Sequence, residues 1–422
     1  SDLTAALKKA AAEGGTEDEI LTRLVNNLNI TGGSITFTRL GDGQQGDHGV
    51  DLVFQTGSDP DAAARSALAQ WASVFGSLPD DGSYRAHISM IEAENGYYIA
   101  VDVEVLKAGT PDKGETDPDP EPDPGYRVED GTYFVTNATG LIAWADHVRA
   151  GNWDTNCTLT ADINLAGEEW TPIGTDDNNA YNGIFDGKDY AISNLTVNQP
   201  DKNYAGLFGC LGSGGKVQNL TLENVNISGA FYAGSVVGTN FGTVSGCTAS
   251  GNITGTESCI GGVVGQNRGT VTGCTVSGDI SSNQYTGGVV GENFGTVSAC
   301  YHATGDVTGN INYVGGVVGW NYYGTVTACY HVNGNVTATY NWVGSVAGYN
   351  GGVGSVTACY WNDSPDPGIG YDNGSGQATK VDSTDVTWKE AVDAMNTALK
   401  NAGSEWRYEL KDGNSLPTLK KQ

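Results

Sequence analysis

Cysteine and aromatic side chains recur at fixed intervals along this 422-residue chain, and they are the residues whose chemistry needs explaining first. Cys247, Cys274, Cys300, Cys329 and Cys359 each end the same short phrase, from "GTVSGC" to "GSVTAC". Thiols in that number could form disulfides, bind metal or act as nucleophiles. A metal site needs ligands that converge, whereas equivalent positions of successive repeats form a line. Stacked side chains also point the same way rather than toward each other, which disfavours disulfides. Two weaker upstream copies, "ISNL" and "VQNL", put Leu195 and Leu220 at the same position. A site that accepts leucine is apolar core, so the five cysteines are expected as free thiols in a structural ladder. No metal, cofactor or catalytic residue is expected.

The aromatic residues align on the glycine that ends "LFG", "VVG" or "VAG": Gly209, Gly238, Gly265, Gly291, Gly319 and Gly348. Five or six residues before it stand Tyr204, Tyr232, Cys259, Tyr285, Tyr313 and Trp342. The next position (Ala205, Ala233, Ile260, Thr286, Val314, Val343) is mostly apolar and should face inward. Alternation then turns the aromatic column outward. Trp320, Tyr322, Tyr323 and Tyr349 widen it toward the C-terminal repeats. Such a stripe suits the stacking of sugar rings, and these nine aromatic residues are the candidate ligand-binding set. The competing reading is that the rings pack on one another at a corner.

Other recurring polar residues read as parts of the repeat. Asn240, Asn267, Asn293, Asn321 and Asn350 should stack their amides along the repeat axis. Asp279 and Asp306 share a column with Asn252 and Asn335, so they are not a unique acid–base pair of the kind a glycosidase needs. The pairs Thr243/Ser245, Thr270/Thr272, Thr296/Ser298, Thr325/Thr327 and Ser355/Thr357 form a double hydroxyl column expected to face solvent, as an ice-binding surface would. His48 and His87 are isolated, and none of the five histidines lies in an HExxH motif.

The anchoring glycines are separated by 29, 27, 26, 28 and 29 residues. A unit this short cannot bury its own core, so copies must stack. The units are rich in Val, Thr, Ile and Gly with no helix-length stretch. The expected fold is therefore mostly β: a right-handed parallel β-helix, or β-solenoid, over residues 126–380. A helix at "GLIAWADHV" should cap its start. A helix opened by the capping box "TWKE", followed by a strand pair, should cap its end within 381–422. Residues 1–108 read as a small α+β domain of three helices and four strands, including "SITFTRL". Residues 109–125 hold five prolines and six acidic residues and read as a stiff, self-repelling linker.

The net charge of −28 disfavours nucleic acid and anionic membrane surfaces as partners. No run of about 18 apolar residues is present, so no membrane span is expected in this sequence. Ser1 in place of methionine reads as a trimmed start, with export and anchoring segments lying elsewhere.

The units "YAGLFG…VQNLTLENVNISG" and "GGVVGxNxGTVxxC" resemble the GLUG repeat of bacterial adhesin-type surface proteins and some large secreted peptidases. "EWRYELKDGNSLPTL" is similar to the usual close of such proteins. The resemblance covers Tyr133 to about Trp361. It implies an extracellular or bacterial cell-surface location and an adhesin-like role facing glycan or a host or matrix surface, without catalytic residues. A passive surface spacer is the alternative, with a polysaccharide-active enzyme or an ice-binding protein behind it. The chain is expected to be a monomer.

Overall fold

The computed structural model describes residues 3–28, 45, 47–76, 83–107, 124–362, 367–382, 385–412 and 415–422. The chain divides into two compact units, Ser1–Asp119 and Pro120–Gln422.

In the first unit, Gly96–Lys107 is the central strand of an antiparallel sheet, flanked by His48–Thr56 and Ser83–Ala93. Alternation along these strands gives two apolar faces. Val50, Leu52 and Ala100 pack under helices Leu3–Ala11 and Glu17–Asn27. Ile99, Val101 and Val103 pack against Ala63, Ala67 and Trp71 of helix Pro60–Gly76. The expected strand "SITFTRL" and nearly all of the proposed linker lie outside the described residues.

The second unit is a parallel β-solenoid of about eight turns. Each turn is a handful of short strands, and equivalent residues pair in parallel from one rung to the next. Val237, Val264, Val290, Val318 and Ala347 follow one another in this way. So do Val244, Val271, Val297, Val326 and Val356. These residues are fully or almost fully buried, so the core is a set of apolar columns running the length of the array. Helix Ala138–Arg149 closes its start. Trp144, itself fully buried, meets Tyr181, Phe185 and Phe208 with ring centroids 5.7, 5.2 and 6.2 Å away.

Three columns of the coil carry a positive φ; one of them runs through Asn194, Asn224, Gly251, Gly278, Gly305 and Asn333, and the other two are corners with a left-handed backbone. At one, Asn219, Gly246, Gly273, Ala299, Ala328 and Ala358 have φ between 49° and 67°. At the other stand Tyr204, Tyr232, Cys259, Tyr285, Tyr313 and Trp342, with φ between 55° and 66°. The alternation argument treats that second column as strand; Cys259 and Tyr285 do lie in short strands, but at a left-handed bend, and the next residue in each rung from Ala205 to Val314 is buried.

The C-terminal segment corrects the expected end cap. Helix Trp388–Asn401 begins at the Thr387–Glu390 capping box, and Trp406–Glu409 pairs antiparallel with Thr418–Lys421. Yet this segment lies along the flank of the solenoid. The Trp406 indole sits on Gly246 and Gly273, and at Gly273 there is no room for a Cβ. Tyr408 Oη donates to Ala328 O at 2.9 Å, and Ala299, Ala328, Tyr330, Met395 and Leu399 share one apolar cluster. The small-residue corner is a shallow shelf that the segment fills, which a strongly apolar stripe on the helix makes favourable.

Candidate functional site

Register fixes which side chains can act together. The five-cysteine column is core: Cys247, Cys274, Cys300, Cys329 and Cys359 are at most 1% exposed, and all eight cysteines are free. Each thiol donates to the carbonyl two residues back, at 3.3 Å for Cys274 and 3.1 Å for Cys300. Burial pushes the Cys300 and Cys359 thiols well up, so neither is a thiolate nucleophile.

The asparagine column is an amide ladder. Each Nδ2 donates to the next Oδ1 at 2.7–2.8 Å from Asn240 through Asn350, and the run ends on Asp372. Asp279 and Asp306 are tied into a ladder of their own. Asp279 Oδ1 accepts from Asp306 N at 2.9 Å, and Asp306 Oδ1 accepts from Asn335 N at 2.9 Å. These carboxylates satisfy backbone donors of the neighbouring rung. The hydroxyl double column is uneven, with Ser245 and Ser298 buried and Thr296, Thr325 and Thr357 exposed.

His302 and His331 form a buried stacked pair within an otherwise apolar column. That column runs Ile192, Leu222, Ala249, Val276, His302, His331 and Trp361. Their Nδ1 atoms are 3.0 Å apart, and their Nε2 atoms lie 3.0 Å and 3.1 Å from Gly278 O and Gly334 O. Burial is the main reason the pair resists protonation: His302 is held down to about 4 and His331 to about 3. Sequence reasoning missed this pair, although both histidines follow the repeated "ACY".

The aromatic candidates fall into two groups. Tyr204 and Tyr232 stack as a separate pair, with centroids 5.4 Å apart. Tyr285 meets Tyr313 in a tilted contact at 4.9 Å, and Tyr313 stacks on Trp342 at 4.7 Å. Trp320 lies on Tyr285 at 5.0 Å and on Tyr322 at 4.9 Å, and Tyr322 meets Tyr323 at 4.2 Å. Tyr349 packs edge-on to Tyr313 and stacks on Tyr371 at 5.3 Å. All of these rings are half-buried except Tyr323 and Tyr371, which are exposed. Rings stacked along the axis cover one another's faces and present edges and hydroxyls outward. Burial raises the Tyr285 phenol to about 12.

Four participants were missed: Tyr371, Glu292, Gln266 and Arg268. The first three belong to a second column that pairs Cys210, Thr239, Gln266, Glu292, Trp320, Tyr349 and Tyr371. From Cys210 to Tyr349 this is the residue after each anchoring glycine, so the alignment could have found it. Glu292 is 6% exposed and accepts from Gln266 Nε2, with Cys259 Sγ 3.6 Å from the same oxygen. Burial raises its carboxyl above the usual range. The Arg268 guanidinium lies over Phe294 at 4.7 Å, and its Nε donates to Gln266 Oε1 at 3.2 Å. No cluster of three or more potential metal ligands occurs among the described residues.

A one-rung repeat with a conformationally special aromatic corner defines the class: a stacked β-solenoid whose chemistry lies on its faces. Residues 256–281 match the GLUG motif, and the rungs that pair with them carry the same phrase, so this is a GLUG-repeat solenoid. Halomucin of Haloquadratum walsbyi is 37% identical over 204 residues, covering 46% of this chain and 2% of that protein. A putative Gly-rich membrane protein of Evansella cellulosilytica is 38% identical over 89 residues, covering 20% of this chain and 10% of that one. The chain thus spans a small fraction of either relative. A crystal structure of a putative immunoglobulin A1 protease from Bacteroides ovatus shares the fold, with TM-score 0.52, 18% identity, and coverage of 69% of this chain and 93% of that one.

Proposed function

We propose that this chain is a binding region of an adhesin-type protein at the bacterial cell surface, and that the aromatic face recognises glycan on a host, matrix or cell surface. The observation that carries the reading is the contiguous half-exposed cluster Tyr285, Tyr313, Trp320, Trp342, Tyr349 and Tyr371. It stands on an array otherwise built from Gly, Val, Thr and Ser. Rigid amphipathic rings bind with little loss of side-chain entropy. The names of the two relatives, a mucin-like and a membrane protein, agree with a surface location. The role is non-enzymatic in this reading, because the repeated carboxylates are engaged in backbone ladders.

A glycan-array screen of the whole chain tests it, paired with the triple variant Tyr285→Ala, Tyr313→Ala and Trp342→Ala. Binding by the parent and its loss in the variant are expected. Because these rings also stack, the variant should lose stability as well, by about 0.5–1.5 kcal/mol per stacked pair beyond the burial lost. A variant that melts early yet binds normally retires the glycan reading at this face and leaves the passive spacer, which the regular repeat also fits.

A further inference from the structure

The aromatic column begins at Tyr204, and the space beside that first ring is open. A cavity of about 440 Å³ is walled by residues of segments 171–175 and 199–204. That volume falls in the range of about 300–1,000 Å³ usual for small-ligand sites. Ile173 pairs with Phe208, and Phe208 with Val237, so segment 171–175 belongs to the rung before Tyr204 and Tyr232 to the rung after it. One face of the Tyr204 ring stacks on Tyr232, and no other ring meets it among the described residues. The cavity takes its walls from the preceding rung and from Tyr204's own, so it lies on the side of Tyr204 away from its stacking partner.

Both walls are held by their backbones, while most of their polar side chains are unengaged. In the wall that carries Tyr204, Lys202 N donates to Gln199 O at 2.9 Å, and Lys202 O accepts from Ala230 N at 2.7 Å. Pro200 O accepts from Thr256 Oγ1 at 2.8 Å. In the facing wall, Ile173 N donates to Leu207 O and Thr175 N to Asn179 O, each at 3.2 Å. Thr171 O accepts from Arg149 Nη2 at 2.6 Å. By contrast, the side chains of Thr171, Gln199, Asp201, Lys202 and Asn203 make no hydrogen bond or ion pair with the described residues. That set holds a carboxylate that only accepts, an ammonium that only donates, and two amides and a hydroxyl that do both. A pyranose matches it, because each sugar hydroxyl donates and accepts while the ring C–H bonds meet the negative face of an aromatic ring. Asp201 and Asp176, which accepts from Thr175 Oγ1 at 3.1 Å, outweigh the single cation Lys202. With the net charge of −28 they oppose an acidic sugar.

We propose that this cavity binds a neutral sugar, with a pyranose ring on the open face of Tyr204 and its hydroxyls shared among Asp201, Lys202, Gln199 and Asn203. The site is separate from the aromatic cluster around Trp320 and stands without it. Titration calorimetry of the full chain with tetraoses of glucose, mannose, xylose and N-acetylglucosamine, and with tetragalacturonate, tests it. At least one neutral tetraose should bind, at least tenfold more tightly than the acidic one. Asp201→Ala, at an exposed position, should weaken that binding at least tenfold with little change in melting temperature. Tyr204→Ala should give the same loss of binding; alanine is a residue that a left-handed corner accepts at Ala299, Ala328 and Ala358. Should that variant fold poorly, Asp201→Ala alone decides. Trp342→Ala, at the far end of the column, should change binding less than threefold. Full binding by both Asp201→Ala and Tyr204→Ala overturns the cavity as the site, and loss in Trp342→Ala beside it puts the sugar on the other face. Preference for tetragalacturonate overturns the neutral class. A parent chain that binds none of the probes overturns the proposal, while the array screen decides the aromatic face on its own.

Discussion

The buried His302–His331 pair makes stability depend on pH in a way that can be computed and checked. Each group has a folded-state value below the ordinary 6.5, about 4 for His302 and about 3 for His331. Between pH 6.5 and about 4 the unfolded chain binds protons that the folded chain does not, so stability is complete above pH 6.5 and falls as pH falls. At about 1.4 kcal/mol per pH unit, taking the solution from pH 7.5 to 4.5 costs about 2.5 kcal/mol for each histidine, or about 5 kcal/mol for the pair. The charge of His302 further opposes protonation of His331, whereas Asp306 favours protonation of both rings and Asp279 that of His302. Hydrogen bonding works in the same direction. Two neutral rings carry two N–H protons for three contacts, so one contact lacks a donor until a proton arrives.

Chemical denaturation at pH 7.5, 6.0 and 4.5 measures this directly. Carboxylates titrate in part of the same range, and their protonation relieves the repulsion within a −28 chain, so the parent curve alone is insufficient. The double variant His302→Val and His331→Val isolates the pair, because the column around it is already apolar at Ala249 and Val276. The variant should lose about 5 kcal/mol less than the parent over that interval. Parallel pH profiles in the two proteins would refute the reasoning.

Four other outcomes are expected. Cys300→Ser should destabilise by about 1–3 kcal/mol, read as a shift in denaturation midpoint, because a smaller and more strongly hydrated group replaces a packed thiol in an apolar column even though Ser298 O remains as an acceptor. At least five of the eight thiols should react with a maleimide only after denaturation and without reductant; disulfides between rungs, found by mass spectrometry, would contradict the packing account. Asn293→Ala removes a donor and an acceptor from the middle of the amide ladder and should cost about 1–3 kcal/mol per orphaned group, with amide exchange accelerating at Asn267 and Asn321. Gly273→Val should displace Trp406 and expose the C-terminal segment to limited proteolysis.

The repeat, the solenoid and the cysteine core were legible because one residue type recurring in register states its environment several times over. The amide ladder was legible for the same reason. What escaped were features that depend on neighbours across the register rather than along the chain. Glu292 looks like a solvated charge until its pairing with Gln266 and Trp320 is known. His302 and His331 are 29 residues apart in sequence and stack with their rings nearly parallel. The flank position of the C-terminal segment follows from the row of glycine and alanine at one corner. Its sequence gave the helix and its cap but not the surface it would choose.

Two of the positive-φ columns, the small-residue corner and the aromatic corner, explain why the aromatic face is where it is. Both are left-handed, and for a residue with a side chain that conformation costs about 1–2 kcal/mol, so glycine or asparagine is the inexpensive choice at either. The corner beneath the C-terminal segment takes Asn219, Gly246, Gly273, Ala299, Ala328 and Ala358, small side chains for the most part, because Trp406 and Tyr408 need the room. The opposite corner pairs with no described segment outside it, and it takes the largest side chains available. Stacking at about 0.5–1.5 kcal/mol per pair, with partial burial, offsets the backbone strain where rings are continuous. At Cys259 the strain remains, with φ 64°, and neither ring stacking nor a flanking segment balances it.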